Sequence, residues 1–257
     1  MKFTEAKLEQ AFADLLNQQG YPHVLGSSLT RSEDEVLIEA DIKEFLKKKY
    51  KSQRITDQEI NQIIRQLKTL PSSDLYESNK TFTQFLSDGF SLKREDRNQK
   101  DIWIYLVDFD TIENNNFKFV TQLEIVGNHK RIPDGIIYVN GFPLVVFEFK
   151  TAIEEEITIQ NAYKQLTTRY KRDIPELFKY NSFCVISDGV NNKVGSFFAP
   201  YEYYYAWRRI SVGTNDVDGI DSLTTLAKGL LDKRRLIDVV QNFVYVPDAS
   251  KKDEKIV

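Results

Sequence analysis

Apolar residues recur at helical spacing through residues 4–19, where Leu8, Phe12, Leu15 and Leu16 share one face and Gly20 supplies a stop. Residues 34–70 carry two more helical patterns, around 42–45 and 60–67, separated by the basic run Lys47, Lys48, Lys49, Lys51 and Arg54. Such a run reads first as a solvated face, with nucleic-acid contact as the functional alternative. Residues 92–101 (LKREDRNQKD) are polar and predict an exposed loop. Beyond it the period becomes strand-like. Residues 103–109 (WIYLVDF) and 117–126 (FKFVTQLEIV) flank the cluster Asn114, Asn115 and Asn116, which predicts strand, turn, strand. Two apolar runs, 135–139 and 144–149, flank Asn140-Gly141, among the strongest short hairpin signals. Residues 158–170 read as helix, 183–187 as a buried strand and 193–198 as a last strand; residues 222–243 return to helix before a frayed tail. The order predicts an α/β fold with a mixed central sheet flanked by helices on both faces.

Composition narrows the chemistry. With 257 residues, 41% hydrophobic and 28% charged, the chain can bury the core of one large domain or two small ones. It has neither the ~18 to 20 uninterrupted apolar residues of a spanning helix nor an apolar N-terminal signal, so a soluble, cytoplasmic protein is expected, with no membrane partner. One cysteine and two histidines exclude a disulfide framework and a zinc site built from several such ligands. A metal would have to sit on carboxylates. Cys184, inside an apolar strand, reads as packing rather than nucleophile. The formal charge of -3 gives no global field for nucleic acid, so any such contact comes from a local patch.

Phosphodiester cleavage needs charge stabilisation at phosphorus, an activated water and help for the leaving oxygen, most of which a divalent cation on two or three carboxylates supplies. Asp134 opens one strand of the predicted hairpin, and Glu148 and Lys150 lie two apart on the other, hence on one face. Glu148 would join Asp134 on the metal, and Lys150 would orient or help deprotonate the water and balance negative charge. Register decides whether they meet. A strict two-residue turn puts Asp134 opposite Phe147 and Glu148 on the far side of the sheet. One bulge, or a three-residue loop with Gly141 at positive φ, sets Asp134 across from Glu148. The bulged register is predicted, with Ile136, Tyr138, Leu144 and Val146 on the catalytic face and Ile137, Val139, Val145, Phe147 and Phe149 on the other. An ion inside VVFEFK is costly to bury without a partner, which argues against a purely structural strand.

The string RIPDGIIYVNGFPLVVFEFK resembles the PD-(D/E)xK nuclease motif of the restriction (R) subunit of type I restriction-modification enzymes. The resemblance extends to TEAKLEQAFADLLNQQGY, the strand at 117–122, AYKQLTTRY, DIPELFKYN, ISDG and YYYAWRR, nearly the whole chain. It implies a restriction-endonuclease-like core in residues 1–210 with a helical insertion near 34–70, and a helical connector in 211–257 leading toward helicase/translocase domains of a longer polypeptide. It also implies that Asp134 and Glu148 are Mg2+ ligands, that Lys150 is the catalytic lysine, and that Gln165 belongs to the site. The partners implied are double-stranded DNA and the specificity and methyltransferase subunits. No Gly-x-x-x-x-Gly-Lys-Ser/Thr loop is present, so ATP is expected only in the motor domains.

Related nucleases, including archaeal Holliday-junction resolvases, place a first-helix glutamate beside the metal before a Gly-aromatic pair; Glu9 before Gly20-Tyr21 is the corresponding candidate, with an exposed helix glutamate as the alternative. The family's Gln-x-x-x-Tyr pattern appears as Gln165 and Tyr170, one residue further apart. Four residues keep two side chains on one α-helical face and five rotate them apart, so either a helix irregularity restores the geometry or, the favoured reading, Tyr170 packs against the sheet. Lys130 and Arg131, beside His129, are candidate DNA contacts, with Tyr170 as a third. Residues 201–207 (YEYYYAW) read as core or interface before a base-stacking platform, and Arg208 and Arg209 as either phosphate contacts or solvated charges. The leading expectation is a metal-dependent endonuclease domain acting on double-stranded DNA; the alternatives are a non-catalytic DNA- or subunit-docking module of the same fold, and a stand-alone resolvase.

Overall fold

A computed structural model of the chain describes residues 4–150, 159–210 and 222–246. Helix α1 (Glu5–Gln18) begins where Thr4, extended at φ -99°, accepts a hydrogen bond from the Lys7 N–H through its hydroxyl. It ends at Gly20, whose φ of 80° few other residues adopt. Its buried Leu8, Phe12, Ala13 and Leu16 form the expected stripe. Phe12 inserts among Phe119, Phe147 and Phe149, with ring centroids 5.7, 5.1 and 5.5 Å away, and so locks α1 across one face of the main sheet.

That sheet contains β1 (His23–Leu25), β4 (Phe117–Thr121), β7 (Gly135–Val139), β8 (Phe142–Phe149), β9 (Phe183–Ser187) and β10 (Asn192–Gly195), side by side in this order. β1 runs parallel to β4 and β8 parallel to β9, while the β4–β7, β7–β8 and β9–β10 pairs are antiparallel. Every residue of β7, β8 and β9 is buried, as central strands covered on both faces require. The second face carries α5 (Ile159–Lys164), which continues through a π-helical turn (Gln165–Tyr170) into α6 (Lys171–Asp173). A short helix, α7 (Pro175–Phe178), then leads into β9.

The helical insertion holds α2 (Glu39–Lys49) and α3 (Asp57–Lys68), the latter opened by a capping box between Thr56 and Glu59. A third helix, α4 (Leu75–Ser87), follows. Its pattern is blurred because buried Ser78, Asn79 and Thr83 interrupt the apolar stripe; Asn79 is there to donate to the carbonyls of Phe178 and Asn181, at 2.9 and 2.7 Å.

The expected hairpin between residues 103–109 and 117–126 does not form. β3 (Ile102–Ile104) pairs with β2 (Phe90–Leu92) in a separate two-stranded sheet, while β4 is taken between β1 and β7. Local alternation specifies a strand but not its partner, and the long β7–β8 hairpin offers Phe117 and Phe119 a fully buried place. A third small sheet joins β5 (Ile125–Val126) to β6 (Lys130–Arg131). Beyond the main sheet, α8 (Ser222–Lys228) and α9 (Lys233–Asn242) pack back on the domain, burying Leu223, Leu226, Leu236 and Ile237 in the common core. Residues 211–221 and 247–257, part of the expected connector, lie outside the described residues.

Candidate active site

The hairpin that carries the expected chemistry turns on Asn140 and Gly141, whose φ values of 51° and 85° are those of a two-residue turn matching strand twist. Asn140 is fully buried; its side chain accepts from the Asn116 N–H and donates to the Leu106 carbonyl and Asn115 Oδ1, at 2.8, 3.1 and 2.8 Å. Val139 therefore faces Phe142 and Tyr138 faces Pro143, but the next pair is Ile137 with Val145. Leu144 is the extra residue. Its carbonyl leaves the ladder and accepts from the Ser182 N–H at 2.8 Å. The bulge shifts the rest of the hairpin by one, through Ile136–Val146 to Gly135–Phe147. The next step of that ladder brings Asp134 to Glu148, the register the chemistry needs, and Asp134 Oδ2 accepts the Phe149 N–H at 2.6 Å.

Glu148 has 0% of its surface exposed. Its Oε1 takes the Lys150 Nζ at 2.8 Å and its Oε2 the Tyr170 hydroxyl at 3.0 Å. Burial, and then the Asp134 charge, push its pKa up to about 8 against the partial opposition of Lys150 and Tyr170. Asp134 is pushed up to about 6, again chiefly by burial, with Glu9 and Glu5 adding to the rise. Burial works against the charge of Lys150, but Glu148 and Asp134 outweigh it and hold the lysine above its ordinary pKa. Lys150 also donates to its neighbour's carbonyl, Phe149 O, at 2.9 Å and lies 3.8 Å from Glu5. A fully buried and a partly buried carboxylate are thus held together, with one ammonium on Glu148.

Tyr170 does not merely pack. The segment Gln165–Tyr170 is wound as a π-helix, whose five-residue repeat does what four residues do in an α-helix. Gln165 Nε2 donates to the Tyr170 hydroxyl at 3.0 Å, and that hydroxyl reaches both Glu148 and, at 3.3 Å, the Ile132 carbonyl. Tyr170 is buried in the core, as the favoured packing reading expects, and the irregular turn made by the extra residue also sets its hydroxyl on Glu148 and Gln165 on that hydroxyl.

The remaining candidates are placed less simply. Glu9 is half-buried and within electrostatic reach of Asp134, but its carboxylate oxygens are taken by Gln122 Nε2 at 3.0 and 3.2 Å. Gln122 and Glu5 were not singled out by any sequence motif; only their place beside the strand end and at the start of α1 brings them here. Arg131 is turned away to Asp173, with Nε to Oδ2 at 2.7 Å, fastening the loop before Asp134 to the end of the Tyr170 helix. Lys130 pairs with Glu124 on the surface. In the basic run, Lys47 pairs with Asp57 and Lys49 with Asp108. In residues 201–207, Tyr204 is core and packs edge-on to Tyr163, whereas Tyr203 and Tyr205 are exposed. Cys184 is buried in β9. A cleft of about 600 Å³, lined by Leu25, Arg31, Gln122, Glu124 and Ile132 among others, opens next to the cluster.

Among the described residues, no three His, Cys, Asp or Glu side chains already converge on one cation position. The donor set nevertheless fits a hard divalent cation: two hard-oxygen ligands lie together, and burial and the repulsion of neighbouring carboxylates raise both pKa values against the pull of Lys150. No described helix is long and apolar enough to cross a membrane.

Comparison with known proteins gives the same direction. The chain is 34% identical over 196 residues to the type I restriction enzyme HindI endonuclease subunit of Haemophilus influenzae, covering 74% of this chain and 18% of that protein. It is 28% identical over 276 aligned positions to the putative type I restriction enzyme MjaIXP endonuclease subunit of Methanocaldococcus jannaschii, covering 95% of this chain and 26% of that protein. The chain therefore spans less than a third of the length of either relative. Residues 2–203 match the family described as the type I restriction enzyme R protein N terminus. On the strength of that match across most of its length, the chain belongs to the N-terminal R-subunit family of type I restriction enzymes.

Proposed function

We propose that this chain is a divalent-cation-dependent endonuclease domain that hydrolyses phosphodiester bonds of double-stranded DNA. The observation that carries the reading is the bulged β7–β8 register, which brings Asp134 to the buried Glu148 with Lys150 beside it. Asp134 and Glu148 would hold the cation, Mg2+ being the expected one, and Glu9, oriented by Gln122, would add its charge beside them. When bound, the cation supplies charge stabilisation at phosphorus and lowers the cost of activating water.

The protein's own groups do the rest. Lys150, kept charged by its two carboxylate neighbours, offsets negative charge that grows on the phosphoryl oxygens and orients the water. Tyr170, itself held by Gln165, fixes the Glu148 carboxylate through its hydroxyl. Lys130 lies on the surface near the loop before Asp134 and can meet the DNA backbone, whereas Arg131 serves the loop through Asp173. The parent complex, with specificity and methyltransferase subunits and an ATP-driven motor, and a cytoplasmic setting follow from the family relation as parts of the same proposal.

The test is cleavage of duplex DNA by the assembled complex with Mg2+ when this chain carries Asp134→Asn, Glu148→Gln or Lys150→Ala. Each variant is expected to lose cutting by on the order of 10²- to 10⁴-fold while keeping its fold. Undiminished cutting by Lys150→Ala overturns the reading in favour of a docking module.

A further inference from the structure

We infer that Gln122 is a positioning residue for this site: a left-handed backbone turn at the end of β4 and the amide it presents together hold Glu9 toward Asp134. The inference rests on the nuclease reading. Gln122 has φ 53°, a region in which the side chain of any residue but glycine crowds its own backbone. The turn is enforced from outside. The end of β1 lies so close that a Cβ at Gly26 would come within 2.6 Å of the Gln122 carbonyl oxygen and 2.5 Å of the Leu123 Cα.

Glycine would adopt that backbone without strain and asparagine with less of it, so the conformation itself does not call for glutamine. What glutamine adds is reach. Its Nε2 spans to both Glu9 oxygens, at 3.0 and 3.2 Å, from a strand end to the helix that crosses the sheet. Glu9 lies one turn after Glu5, whose carboxylate approaches Lys150 at 3.8 Å, so the first two turns of α1 border the cluster. A neutral donor suits this place. It orients Glu9 against the repulsion of Asp134 without cancelling the negative charge a cation would use, as an arginine or lysine would. Strained backbone held in place by its surroundings is characteristic of functional sites.

The decisive variants are Gln122→Gly and Gln122→Asn, compared with the parent by urea unfolding without metal, by calorimetric titration with Mn2+, and by Mg2+-dependent cleavage in the assembled complex. The unfolding midpoint should stay level or rise as strain is relieved. Mn2+ affinity and cleavage should each fall on the order of 10-fold, the scale of an outer group orienting a ligand. Parental Mn2+ affinity and cleavage in both variants would overturn the inference, and so would losses that track a lowered midpoint, since Gln122 would then act through the fold alone. An Asp134→Asn control separates the two levels. If it is inactive while the Gln122 variants are normal, only the positioning role fails; if it still cuts, the site reading fails and the positioning role with it.

Discussion

Two buried glutamates divide this molecule's chemistry from its scaffolding. Glu59, at the start of α3, has 1% of its side chain exposed, and Glu148 has none. Glu59 meets the Thr56 N–H at 2.9 Å, Arg94 Nε at 2.7 Å and the Glu95 N–H at 3.2 Å. Burial opposes its charge, but these donors outweigh burial and leave its pKa below the ordinary carboxylate range. The same Arg94 ties the β2–β3 loop to the α2–α3 loop by donating to the carbonyls of Gln53 and Arg54. Glu148 has two donors and a like charge facing it, and its pKa rises to about 8. A satisfied buried carboxylate is a joint; an under-satisfied one is poised to take a cation or a proton.

The contrast can be broken most severely in catalysis. Glu148→Gln should abolish Mg2+-dependent DNA cleavage, whereas Glu59→Ala, away from the site, should leave the rate per folded molecule within about threefold, as single-turnover assays would show. Stability should invert the order. Glu59→Ala leaves the buried Arg94 side chain without its carboxylate and removes the side-chain half of the capping box, and should cost roughly 3–5 kcal/mol in urea unfolding, while the metal-free Glu148→Gln chain should unfold no more easily than the parent at pH 8.

The pH dependence sharpens this further. Below pH 4.5 Glu148 is protonated in both folded and unfolded chains and contributes nothing. Between 4.5 and about 8 the folded chain still holds a proton that the unfolded chain has released, so metal-free stability must fall as pH rises through that window. Asp134 adds the same sign between 3.8 and about 6. Glu148→Gln should flatten the upper part of the curve, and Mn2+ binding, which favours the ionised pair, should tighten from pH 6 to 8 with proton release visible as a buffer-dependent heat. Smaller is the effect of Tyr170→Phe, which keeps the ring and loses the hydroxyl to Glu148; cleavage should drop roughly 10-fold. Smallest is Lys130→Ala, whose solvent-screened surface pair with Glu124 should leave the urea midpoint at the parental value.

Much of this was legible in the chain itself, for reasons that differ by residue. The hairpin register followed from chemistry plus parity: two acids and a lysine could meet only if one residue bulged, and Leu144 does. Helices α1, α2 and α3 followed from apolar spacing. By contrast α4 escaped because polar Asn79 lies on its buried face, and β1, at three residues, is too short to show a period. The partner of residues 103–109 escaped because pairing is a tertiary choice. Arg131 looked like a phosphate contact beside the motif, and only folding brings Asp173 to it. Gln122 lies in no motif, and its φ is invisible in one dimension.

The π-helical turn at Gln165–Tyr170 has a consequence for how such sites tolerate length change. An inserted peptide need not displace the hydroxyl from its acid; the coil widens locally and absorbs it, leaving the contact where it was. Searches that demand a fixed gap between an amide and a phenol will therefore pass over chains whose geometry is intact, and the winding of the helix, more than the count of residues, decides whether the two can touch.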